Sequence, residues 1–219
     1  MKKLLFSTIC LGALCVGANA DYYSGIEFGS IANKANEGES IGNMFSIGAY
    51  IRDYKESDEN SSFVKSFRVG YDTKSKDDYG YTNVNAELLL GYGMYFSSDF
   101  SLNLLAGAGI NLAENKYKPL NDSISAHTPY AKVGFSTLAK FGESKQFGIT
   151  LDAYFNRYLD YDIIEDRKEN FFSAELSALY KFNANKEGLY TKINVGTKDS
   201  LFSDKLNNTY FNIGLGYKF

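Results

Sequence analysis

Beyond residue 20 the chain never offers the run of about 18 apolar residues that a membrane-spanning helix needs. Its hydrophobic side chains instead fall on every second position, segment after segment. A two-residue period belongs to a strand with one face in an apolar medium. It recurs in ten segments, near residues 22–32, 43–53, 63–73, 84–96, 100–112, 129–141, 146–157, 171–182, 188–197 and 208–219. Each is about ten residues long, which is what a tilted strand needs to cross hydrocarbon. An even number returns the chain to the side on which it began. The expected fold is all-β, a single closed antiparallel up-and-down transmembrane β-barrel of ten strands, with eight as the alternative count.

One face of these segments is apolar. It carries Ile26 and Phe28 in the first, Leu88, Leu90, Tyr92 and Met94 in the fourth, and Ile149, Leu151, Ala153 and Phe155 in the seventh. The last segment continues it with Phe211, Ile213, Leu215, Tyr217 and Phe219. The opposite face is polar or glycine, as in Gly25, Glu27 and Gly29, or Gly148, Thr150, Asp152 and Tyr154. Of the 18 glycines beyond residue 20, 13 stand on the polar face, 5 in connections and none on the apolar face. Inward glycines relieve crowding in a small barrel and make room for Tyr and Arg, so the polar face is expected inside. A soluble barrel with the apolar face inward is the alternative. It would put its bulky residues inside and glycine outside only sparingly, the reverse of this distribution. Leu89 and Leu105 break the polar face and are expected to touch across the fourth and fifth strands.

Residues 1–20, MKKLLFSTICLGALCVGANA, place Lys2 and Lys3 before an uncharged run and end on Ala18 and Ala20 around Asn19. That is the pattern of a cleaved secretory signal peptide, and it leaves one domain over 21–219. Both cysteines, Cys10 and Cys15, lie in this leader, so the domain has no disulfide available. They follow Ile9 and Leu14, which does not fit a lipid-anchor site. Removing the leader takes two lysines from the 23 basic residues and leaves 21 against 26 acids. This mild negative balance offers no basic field, and nucleic acid is not an expected partner. The 34 aromatic side chains and 2 prolines of the remainder suit a sheet-rich chain.

Aromatic residues gather at both ends of the apolar face. Phe63, Phe96, Phe100, Phe147, Phe182, Tyr217 and Phe219 mark one end, and Phe28, Phe45, Tyr71, Phe155, Phe172 and Phe211 the other. These are expected interfacial girdles. Short links at 97–99, 142–145 and 183–187 alternate with longer ones near 33–42, 74–83, 113–128, 158–170 and 198–207. Short turns are expected on the periplasmic side and long loops outside. The link YKESDENSS, 54–62, is long for a periplasmic turn.

The leader ending ANA, the strands LLLGYGMYF and LNLLAGAGI, and the terminal strand YFNIGLGYKF together resemble the small outer-membrane β-barrel proteins, the OmpA-barrel and OmpX-like group. The resemblance covers residues 21–219 as a pattern rather than a diagnostic motif, and members of the group commonly have eight strands. It implies residence in the outer membrane of a Gram-negative cell, among lipid and lipopolysaccharide. It also implies that Phe219, with Tyr217 and Leu215, forms the C-terminal signal read by the barrel-assembly machinery.

No catalytic, cofactor or metal site is expected. The single histidine, His127, falls in a long connection. Outer-membrane lipid A deacylases place a serine two residues after a histidine near a barrel strand, and here that position is Pro129. Omptin-type proteases set several acids and a histidine around the rim, a pairing this chain does not show. The polar face carries Glu27, Glu87, Asp152 and Glu175 with Arg68, Lys132 and Lys192. Such nearly balanced charges are expected to pair and to cross-link the lumen, which Tyr50, Tyr130, Tyr154, Tyr190 and Tyr210 would help to fill. In the connections, Tyr81 and Tyr117 are the candidate contacts for an extracellular ligand or host surface. Asp77 and Asp78, or Glu165 and Asp166, are weak candidates for cations bridging lipopolysaccharide. The expected function is a structural or surface-interaction barrel with a largely filled lumen. A narrow passive channel for small solutes or ions is the alternative, and an outer-membrane enzyme the remote one.

Overall fold

A computed structural model describes residues 21–32, 43–57, 62–76, 79–117, 119, 122–159, 170–183, 187–199 and 207–219. The leader, and with it the expected cleavage site, lies outside the described residues. Ten strands stand among them: β1 Asp21–Ala32, β2 Met44–Tyr54, β3 Phe63–Lys76, β4 Tyr79–Ser97, β5 Phe100–Tyr117, β6 Asp122–Phe141, β7 Phe147–Tyr158, β8 Asn170–Lys181, β9 Gly188–Asp199 and β10 Asn207–Lys218. Each pairs antiparallel with its neighbours in sequence, and β1 pairs with β10, so the sheet is a closed barrel. Closure leaves no edge along the spanning part of the sheet, the condition for crossing hydrocarbon with strands. The strand count is ten, not the eight of the alternative.

The facing follows the period. Phe28, Leu88, Leu104, Leu151, Ile193 and Ile213 are exposed on the outer surface, while Glu27, Asn103, Asp152, Asn194 and Asn212 on the alternate positions are buried. Both expected aromatic girdles lie on the outside: Phe147 packs against Tyr180 with ring centroids 5.0 Å apart and Tyr217 packs edge-on against Phe219 at 4.9 Å at the short-turn end, and Phe28, Phe45, Phe155, Phe172 and Phe211 are exposed toward the other. A barrel with bulky apolar residues outside and carboxylates inside is inverted relative to a soluble one. Only an apolar solvent makes that arrangement favourable.

Glycine placement sets the lumen packing. Gly25, Gly109, Gly134, Gly196 and Gly216 lie directly across from Tyr50, Tyr130, Tyr154, Tyr210 and Tyr190. Each ring folds over its glycine so closely that an added Cβ would meet it, at 2.3 Å for Gly109 against Tyr130 and 2.4 Å for Gly216 against Tyr190. Each ring therefore starts its path over the glycine opposite, and the hydroxyls of Tyr50, Tyr130, Tyr190 and Tyr210 reach partners on other strands. Leu89 and Leu105 do meet, in a buried cluster with Val64 and Tyr154.

Two expected connections are strand instead. The segments 74–83 and 113–128 belong largely to β3, β4, β5 and β6, whose ladder continues as far as Lys76 opposite Tyr79 and Tyr117 opposite Asp122. The 20 residues of β6, at about 3.3 Å each, run to roughly 65 Å, well beyond a hydrocarbon layer of about 30 Å even when tilted. Past the lipid the outer face has no need to be apolar, so the two-residue hydrophobic signal stops while backbone pairing goes on. Tyr81, Tyr117 and His127 are thus strand residues, not loop residues. Asp77, Asp78, Glu165 and Asp166 lie outside the described residues.

Candidate functional site

The lumen is organised in layers along the barrel axis. At the short-turn end, β2 finishes at Tyr54 and the chain turns inward instead of away. Glu56 enters the barrel mouth, accepts hydrogen bonds from Lys140 at 2.9 Å and Lys218 at 2.8 Å, and takes the Tyr23 hydroxyl at 2.5 Å. Lys218 also reaches Asp21 at 3.3 Å. Asn103 donates to the Asp53 carbonyl at 3.0 Å, and the Gly93 amide to the Ser62 carbonyl at 2.6 Å, tying both ends of the link to the wall. Within the link 54–62, Lys55 and Glu56 are drawn into the barrel mouth. Burial pushes the Glu56 carboxyl up, but Lys218 and Lys140 overcome this and hold it at about 2. A folded value below the ordinary one means that the clamp contributes fully above pH about 4.5, and its contribution fades as pH falls through about 2.

Above this clamp Tyr23, Tyr50, Tyr54, Leu138, Leu179 and Tyr190 form a buried cluster across the lumen. Tyr23 packs edge-on against Tyr54 and against Tyr190, with ring centroids 5.4 Å apart in each pair. The Tyr50 and Tyr190 hydroxyls share a hydrogen bond of 2.7 Å, and Tyr190 also donates to the Ser24 carbonyl at 3.1 Å. Tyr190 on β9 thereby bridges to Tyr23 on β1 and Tyr50 on β2, neither of them a neighbouring strand, so these rings occupy the cross-section and not merely the wall.

The next layer is ionic. Arg68 pairs with Glu27 and, at 2.8 Å, with Glu175; Lys192 meets Glu175 at 2.8 Å; Lys132 meets Glu87 at 2.6 Å. Asp152 is held by Arg52. Tyr130 donates to Glu87 at 3.2 Å, Tyr210 to Glu175 at 2.5 Å, and Asn194 to Glu27 at 2.6 Å. Lys132 also stands over the Tyr154 ring, 4.1 Å from its centroid. All seven charged lumen residues singled out from the polar face therefore carry an ion pair. Six of them pair among themselves, while Asp152 takes its partner from outside the set.

That partner, Arg52, was missed by the sequence reading, as were Glu56, Asp72, Lys140, Lys198 and Lys218. The signal was present for them. Arg52 and Glu56 share the parity of Tyr50, Lys140 that of Lys132, and Lys218 that of Gly216. They fall at strand ends, where alternation gives way to connections. Side-chain length lets such residues reach the lumen from there.

Toward the loop end the lumen opens. An open vestibule is floored by the Arg52, Arg68 and Asp152 layer and walled by Asn83, Asn85, Asn111, Asn156, Asn208 and Asn212. At its rim Asp72 accepts from Lys198 at 2.5 Å, Ser46 at 2.8 Å and Asn83 at 3.2 Å. Tyr81, a candidate ligand contact from the sequence, packs against the cluster of Ile31, Met44 and Tyr210 and lines this mouth. Tyr117 closes β5, its backbone paired opposite Asp122. His127 is exposed on the far extension of β6, opposite Leu112. On β10 Leu215 and Tyr217, and just past it Phe219, point outward, and the Phe219 amide closes the seam by donating to the Tyr22 carbonyl at 2.9 Å. Among the described residues no group of three or more His, Cys, Asp and Glu is arranged to hold a metal ion.

No family model and no curated protein sequence matches the chain. Solved structures do. The translocator domain of the autotransporter NalP from Neisseria meningitidis is similar at a TM-score of 0.50 and 13% identity, covering 100% of this chain and 95% of that one. The β domain of the Bordetella autotransporter BrkA is similar at 0.50 and 9%, covering 93% and 99%. Ail, the attachment invasion locus protein of Yersinia pestis, solved with the heparin analogue sucrose octasulfate, gives 0.45 and 10%, covering 93% and 100%. The likeness is one of fold alone. It agrees with the closed barrel and assigns no role.

Proposed function

We propose that this chain is an integral outer-membrane barrel of the small OmpA- and OmpX-like kind, with a structural or surface-contact role and a lumen closed to conduction. The observation that carries the reading is the stack of lumen layers. The Glu56 clamp, the Tyr50 and Tyr190 bridge and the Arg68 and Glu175 network succeed one another across the barrel. An apolar outer face supports the membrane setting, and the leader pattern of residues 1–20 supports export. The vestibule would then face the cell exterior, among lipopolysaccharide headgroups and any extracellular ligand or host surface. Phe219 and its outward neighbours would serve barrel assembly. The reading includes no reaction: His127 is exposed on a strand extension, and Pro129 stands two residues on.

Reconstitution in planar bilayers tests it. The refolded protein is expected to show no steady unitary openings, and a Tyr50→Ala, Tyr190→Ala double variant is expected to show them. Steady openings of the unaltered protein would replace this reading with the narrow-channel alternative.

A further inference from the structure

We infer that the vestibule is a binding site for a neutral polyhydroxylated ligand of mono- to disaccharide size. The inference rests on the barrel being closed beneath the vestibule, so that a ligand entering it is held instead of passed through.

The walls ask for hydrogen bonds that the protein does not supply. Asn83, Asn156, Asn208, Asn212 and Asp152 all line the vestibule and are each at least nine-tenths buried, yet each has an Oδ1 that accepts no hydrogen bond from a described residue. For two of them the amide orientation is fixed. Asn83 uses its Nδ2 on Asp72 at 3.2 Å, and Asn156 uses its own on Ser173 at 3.0 Å and on the Phe171 carbonyl at 3.2 Å. Their free atoms are therefore acceptors, and buried acceptors left unpaired are costly.

The chemistry of the complement follows from what else is there. Arg52, Arg68, Lys132 and Lys198 are already engaged by carboxylates, which leaves an anion no free counter-charge. A metal ion is not favoured either, because the lining carboxylates Glu27, Asp72, Glu87, Asp152 and Glu175 are each already paired with one of these four cations. An ammonium donates but cannot accept, and the amide groups of Asn208 and Asn212 offer donors as well as acceptors. A hydroxyl does both. Phe171 and Tyr81 add partly buried rings at the same walls, apolar faces against which the C–H face of a sugar ring packs. A few fixed polar groups beside aromatic surface is the usual make-up of a small-molecule pocket.

The test uses the full barrel refolded in a zwitterionic detergent that carries no sugar, titrated calorimetrically with glucose, N-acetylglucosamine and maltose, and in parallel with putrescine and inorganic phosphate. At least one of the three sugars is expected to bind saturably with a Kd of about 1 mM or tighter. Asn156→Leu and Asn83→Leu, checked for heat-modifiable migration, are each expected to weaken that binding by about tenfold. Phe171→Ala, which removes a wall ring without touching the amide groups, is expected to weaken it too and serves where a leucine variant does not fold. Absence of saturable binding by all three sugars overturns the inference. So does binding of putrescine or phosphate in their place, or sugar binding indifferent to every folded variant. Sugar binding by a barrel that also conducts would remove the closed-lumen reading and leave the site standing. A silent barrel that binds no sugar would do the opposite.

Discussion

Replacing Glu175 by alanine is expected to destabilise the barrel by about 3–5 kcal/mol, the cost of stranding buried charges by removing their partner. Glu175 receives Arg68 and Lys192, both at 2.8 Å, the Tyr210 hydroxyl at 2.5 Å and the Ser177 hydroxyl at 3.2 Å. It is 5% exposed, so water cannot readily take its place. After the substitution Arg68 keeps Glu27, but among the described residues Lys192 keeps only the face of the Tyr50 ring, 4.9 Å away. Glu175→Gln preserves shape and one acceptor and is expected to cost less than the alanine variant. Urea unfolding in lipid vesicles measures both. A Glu175→Ala barrel with the unaltered midpoint would show that this layer is hydrated and that its ion pairs do not brace the lumen.

On the outer face the largest effect is expected from a charge placed at mid-depth. Leu151 stands mid-strand on β7, opposite Thr137 and Leu176, with its side chain outward. Leu151→Arg is expected to cost about 2–4 kcal/mol, and Phe147→Arg, at the girdle on the same strand, only about 0–1 kcal/mol beyond the loss of its ring contacts. The gradient with depth is the informative part. On a water-exposed surface both arginines would be tolerated to within about 0.5 kcal/mol and would show no such trend. Unfolding of the two variants in the same vesicles therefore distinguishes a lipid belt from a wet exterior.

The barrel itself was legible in the sequence because lipid imposes a strict condition on every second residue of every spanning strand. Glycine then marked which face was inside, and the tyrosines opposite those glycines were already identifiable as lumen fillers. What could not be read was anything beyond the lipid. The extensions of β5 and β6 lost their period where the outer face became free to be polar, so Tyr117 and His127 were placed in a connection. The lumen network was legible in its mid-strand members, Glu27, Arg68 and Glu175, and hidden at the strand ends, where Arg52 and Glu56 act by reaching inward. Glu56 is instructive: it belongs to an apparently overlong turn, yet its carboxylate is clamped inside the barrel mouth by Lys140 and Lys218.

The chain contains no tryptophan, which makes single-tryptophan variants in bilayers of brominated lipid the most direct test of which face meets hydrocarbon. Tryptophan at Leu151, Ile193 or Leu215, all exposed on the outer face, is expected to be strongly quenched, and tryptophan at Tyr154, Tyr190 or Tyr210, all buried in the lumen, to be spared. Equal quenching of the two sets, or stronger quenching of the lumen set, would contradict an inside-out barrel spanning a membrane.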